Sequence, residues 1–125
     1  MYDLIDRPVT DLQAAERRML DATRAWVHQL TMAGAGSPAA AARLGGGSDA
    51  FDAAMRALDE GSTDTLVFER PCHATVSETE AMWLAIWRLV RADRVSRARD
   101  ALIAFVGPAS AGQVVSAMMR VAARA

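Results

Sequence analysis

The chain has 125 residues, 52% of them apolar and 23% charged, with a net charge of −1. That length fits one domain that removes about 65–70% of its unfolded surface from water, and the composition excludes a disordered tail. Near-neutrality excludes a general pull toward nucleic acid or anionic membrane, and a single cysteine excludes an internal disulfide.

The opening "MYDLIDRPVT" carries acids where a secretory signal needs positive charge, and no apolar run follows, so a cytoplasmic location is expected. Thr10 with Gln13 has the pattern of a capping box. From Leu12 onward, apolar residues at Met19, Ala22, Trp26 and Leu30 recur at mostly three-and-four spacing. They predict a long amphipathic helix over about 11–33, stopped by Gly34. The Gly/Ala-rich stretch "GAGSPAAAARLGGGSD" reads as a flexible linker over about 34–48, with a short marginal helix between Ser37 and Gly45 that starts at Pro38.

Ser48 or Asp49 then caps a helix over about 49–60, whose inner face is Phe51, Ala54, Met55 and Leu58. "TLVF", residues 65–68, is too short for a stable sheet and reads as an extended connector or a strand paired with its own copy. Ser77 and Glu80 form a second capping-box pattern, opening a helix over about 77–92 with Trp83 and Trp87 four residues apart on one face. The chain turns near Asp93, and a helix over about 94–106 follows, ended by Gly107. Pro108 starts the last helix, about 109–124, whose only charges are Arg120 and Arg124. The fold class is therefore all-α: a small bundle of four to five helices in one domain spanning residues 1–125, with no segment apolar enough to span a membrane.

Chemistry is sparse along this chain. All fourteen basic residues are arginine, which removes Schiff-base and P-loop lysine chemistry. "ERPCHATVSETE", residues 69–80, holds Cys72 and His73, but zinc needs three or four ligands, so a metal site requires Cys72 and His73 from two copies across a dimer. Cys72 lies five residues before the predicted cap, beyond strong influence of the helix dipole, and is expected as a half-buried loop cysteine under the tryptophan helix rather than a nucleophile. His28 is expected on a polar helix face. Neither Glu78 with Glu80 nor Asp59 with Glu60 has the helical spacing that aims two carboxylates at one substrate. No catalytic residues, cofactor or enzymatic activity are expected.

Residues 1–70 carry seven arginines against eleven acids, whereas residues 71–125 carry seven against four, an asymmetry that favours packing between the halves or between copies. Arg88, Arg91, Arg94 and Arg97 cluster around a bend and form a candidate anion or partner surface. The nearly uncharged last helix suggests a homodimer, and Trp83, Trp87, Val115, Met118 and Met119 form a candidate ligand pocket or interface. The expected function is a regulatory or adaptor protein that presents helical surface to a protein partner. Its rivals are a small-ligand or anion sensor with an arginine-rimmed apolar pocket, and a weak nucleic-acid-binding regulator. The last is disfavoured by the low charge and the poor helix-turn-helix match of "ALIAFVGPASAGQVVSAM".

Overall fold

The computed structural model describes residues 4–36, 39–40, 44, 48–63 and 66–124. Among these it is all-helical, with five α-helices: α1 Ala14–Ala33, α2 Ser48–Gly61, α3 Glu78–Arg91, α4 Val95–Leu102 and α5 Pro108–Arg124. The Ser37 cap, Pro38 and Gly45 of the expected linker helix, and Thr65 of "TLVF", lie outside the described residues. Ala40 and Leu44 are buried.

α1 begins later than the Thr10 capping-box pattern indicates. Val9–Asp11 form a short 3-10 turn, and Gln13 is the N-cap, with extended backbone and no side-chain capping bond. The cause is tertiary. The Asp6 and Val9 N–H groups donate to the carbonyls of Val76 and Ala74, and Val76 N–H donates back to Arg7, so residues 6–9 lie antiparallel to residues 74–76 instead of entering the helix. At its other end α1 stops as expected: Gly34 adopts a left-handed φ of 80° and its N–H closes on Leu30. Such a conformation costs a side-chain-bearing residue steric strain that glycine avoids.

The Ser77 cap forms as the sequence indicates. Ser77 Oγ accepts the Glu80 N–H at 3.2 Å, and the Glu80 carboxylate accepts the Ser77 N–H at 3.0 Å. The turn after α3 places Asp93 in the left-handed region, with φ 60°. α4 then ends at Leu102, four residues short of the expected 106. Phe105 O accepts the Thr63 N–H, and Gly107 N–H donates to Gly61 O, so residues 105–107 are committed to the end of α2 and cannot continue the helix.

The helices form a ring in the order α1, α3, α5, α2. α1 packs on α3, α3 on α5 and, most extensively, α5 on α2, while α4 closes against α3 and α5. α3 thus meets three helices, α1, α4 and α5, which accounts for the burial of Trp83, Leu84, Ile86, Trp87 and Val90. α5 also belongs to the core: Ala111, Val114, Val115, Ala117, Met118 and Val121 are all buried. Within the chain it packs chiefly against α2. No helix among the described residues is long and apolar enough to cross a membrane.

Candidate functional site

The stretch 69–80 is organised from inside by one arginine. Arg24, halfway along α1, is only 1% exposed, and Glu80, at the start of α3, is fully buried. Arg24 Nε donates to Glu80 Oε2 at 2.7 Å and Nη2 to Oε1 at 2.8 Å, a fork that matches the carboxylate plane. Nη1 donates to the His73 carbonyl and Nη2 also to the Thr75 carbonyl, each at 2.8 Å. Glu80 in turn accepts N–H groups from Ser77 and Glu69, each at 3.0 Å. One ion pair thus holds both flanks of the loop on the bundle, and alternate carbonyls of residues 73–76 point to Arg24 on one side and to residues 6–9 on the other.

Burial pushes the Glu80 carboxyl up. The Arg24 hydrogen bond, the Ser77 N–H, the Arg24 charge and the Glu69 N–H together outweigh it and hold the group below the usual carboxylate value of 4.5. The carboxylate is ionised and saturated with donors, a binding arrangement for backbone and guanidinium rather than a free general base.

Two further polar contacts tie α1 to α3. The Trp83 indole donates to Thr23 Oγ1 at 3.0 Å, and Arg88 donates to the buried Glu16 carboxylate at 2.8 and 2.9 Å. Glu16 opposite Arg88 and Arg24 opposite Glu80 define one antiparallel register. Sequence reasoning missed Glu16 and Arg24. A signal was present: an acid followed eight residues later by an arginine occurs in the same order on α1 and on α3, a pattern that is complementary when the two helices run antiparallel.

Cys72 and His73 are both exposed. The Arg70 carbonyl accepts the His73 N–H, which makes Pro71 and Cys72 the tip of a turn, proline at its usual second position, and lifts the cysteine off the core instead of under the tryptophan helix. The His73 ring contacts the Thr75 hydroxyl at 3.3 Å and Glu69 at 3.8 Å. Among the described residues no three histidine, cysteine or acidic side chains are grouped to hold a metal ion.

The residues expected to form a ligand pocket or interface differ in exposure. Trp83, Trp87, Val115 and Met118 are at most 3% exposed within a single chain, and Met119 alone reaches the surface at 43%. α5, expected to meet a second copy, packs most extensively on α2 of the same chain. The arginine cluster is likewise divided. Arg88 is drawn to Glu16, Arg94 and Arg97 remain in solvent around the α3–α4 turn, and Arg91 turns to the rim of a hollow that includes Trp87.

A mostly apolar cleft lies at the seam between α1 and α2. The two helices are bridged there by the Trp26 indole, which donates to Asp52 at 2.9 Å. Next to this bridge a cleft of about 360 Å³ is lined by Trp26, Leu30, Met55, Leu58, Leu66 and Phe68, with Asp59 and Ser62 as polar groups. It shares Val27 and Phe68 with a second hollow of about 210 Å³ that runs past His28 and Met32 to Arg70. Met32 at 72% and Val67 at 53% are the most exposed large apolar side chains of the described residues, Met32 in the second hollow and Val67 between Leu66 and Phe68 of the lining.

Comparison with protein-family models, with curated proteins and with solved structures gives no match.

Proposed function

We propose that the protein is a non-enzymatic adaptor domain that receives an apolar segment of a partner protein in the cleft between α1 and α2. The observation that carries this reading is the shape of the cleft. Two hollows joined through Val27 and Phe68 make an elongated trough, which suits successive anchor side chains of a peptide better than one compact molecule. Exposed Met32, in the second hollow, extends the apolar surface at the end of the trough, where a lone domain gains nothing from it and a covering partner removes it from water.

The rest of the site supports the same reading. The Arg24 and Glu80 pair fixes the segment leading from residue 69 to α3, and Phe68 and Leu66 sit immediately before it, so one wall of the trough is anchored on a rigid base. Methionine at the rim is suited to a partner surface because its unbranched thioether repacks against different shapes.

A photo-crosslinking amino acid placed at position 67 in the native cell tests the proposal, with position 96, exposed on α4, as control. A discrete protein adduct at 67 and none at 96, abolished by Leu30→Asp, is the expected outcome. Equal adducts at both positions, or none at 67, would overturn it.

A further inference from the structure

The arginine that leaves the surface cluster points to a second site. Arg91 at the end of α3 and Arg18 on α1 line a hollow of about 280 Å³, together with Ala15, Leu44, Trp87 and Ala122 of α5. It shares no lining residue with the α1–α2 trough. Three arginines elsewhere in the bundle, Arg24, Arg56 and Arg88, each have a carboxylate partner. Neither Arg18 nor Arg91 has one among the described residues, although both border the same hollow.

The independent observation is Trp87. It is 2% exposed, and its indole N–H is the one buried side-chain polar atom among the described residues without a hydrogen-bond partner. The other two tryptophans place theirs on Asp52 and Thr23. Buried indole donors are normally paired, because an unmatched donor forfeits its hydration with no return. The Trp87 ring forms part of a wall whose charged side chains are two guanidiniums, so the charged groups bordering this hollow are all donors and call for oxygen.

We propose that this hollow binds the phosphate group of a small organic phosphate monoester between Arg18 and Arg91, with the ester's apolar body against Leu44 and the Trp87 ring. Two guanidiniums supply two positive charges and flat donor forks, and a phosphate monoester carries about −1.5 to −2 at neutral pH with three acceptor oxygens. A single carboxylate neutralises only half of that charge. The volume lies at the lower end of small-molecule pockets, which limits the ester to a compact body.

The three tryptophan indole N–H resonances of the nitrogen-15-labelled full chain test this directly, titrated with phenyl phosphate, benzoate and inorganic phosphate at fixed ionic strength. The proposal expects phenyl phosphate to move the Trp87 resonance saturably below about 10 mM, leaving those of Trp26 and Trp83 in place. Arg18→Gln and Arg91→Gln alter exposed side chains and leave the fold intact, and each is expected to weaken binding about tenfold or more. Benzoate binding as well as phenyl phosphate overturns the phosphate class, and inorganic phosphate binding as well as the ester overturns the organic body. A Trp87 resonance that does not saturate, or binding unchanged in both variants, overturns the site.

Discussion

Arg24→Met isolates the interaction on which the 69–80 segment depends. Methionine keeps most of the arginine's apolar stem, so packing along α1 changes little. Four hydrogen bonds disappear, two of them to Glu80, leaving that buried carboxylate with only the Ser77 and Glu69 N–H groups. Removing one partner of a buried ion pair costs about 3–5 kcal/mol, because the surviving charge stays desolvated. Against a total stability of about 5–15 kcal/mol, the melting temperature should fall by roughly 10–20 °C. In the wild-type protein the Glu80 pKa is depressed, so its contribution is fully present above the ordinary carboxylate value of 4.5 and is lost as pH falls through the lower folded value. In the variant, burial acts on Glu80 without the guanidinium to oppose it, and protonation at acid pH relieves the penalty. Urea unfolding followed by circular dichroism should therefore show a gap between variant and wild type that is widest at neutral pH and narrows toward pH 4. A loss below about 1 kcal/mol, or a gap independent of pH, would refute the assignment of Arg24 as the organising charge.

Three other outcomes follow from the packing. Ser77→Ala removes the α3 cap and should cost about 1 kcal/mol by urea unfolding, with faster hydrogen exchange at the Glu80 amide. Thr23→Val keeps the side-chain shape but leaves the Trp83 indole N–H unpaired in the core, a loss of about 1–3 kcal/mol in the same assay. Val115→Asp places a carboxylate where α5 meets the core and should abolish the cooperative thermal transition, whereas Met119→Asp on the exposed face should shift stability by no more than about 0.5 kcal/mol. A folded Val115→Asp chain with native spectra would show that this face of α5 is not core.

The relation between sequence and structure differs from element to element. The Ser77 and Glu80 cap, the Gly34 stop, the turn at Asp93 and Pro108 at the start of α5 were legible because each depends on residues within a few positions of one another, whose backbone geometry local chemistry dictates. The all-helical class was legible for the same reason, from apolar residues repeating with the period of a helix. Helix ends set by distant partners were not. Residues 6–9 pair with residues 74–76 and delay α1, and residues 105–107 join the end of α2 and shorten α4.

Burial was the least legible property. Periodicity tells that α5 and the tryptophan face of α3 must be covered, but not by what, since a neighbouring helix and a second chain remove the same area from water. The order α1, α3, α5, α2 buries much of both faces within the chain and leaves an apolar cleft at the α1–α2 seam. Tertiary structure likewise separated arginines that look alike in sequence, taking Arg24 and Arg88 into ion pairs and bringing Arg91 and Arg18 to one hollow with Trp87. The sequence by itself determined where helices form, because hydrogen bonding along a helix is local. Only the tertiary structure decided which charges are buried and which apolar faces stay open, because both depend on residues brought together from remote parts of the chain.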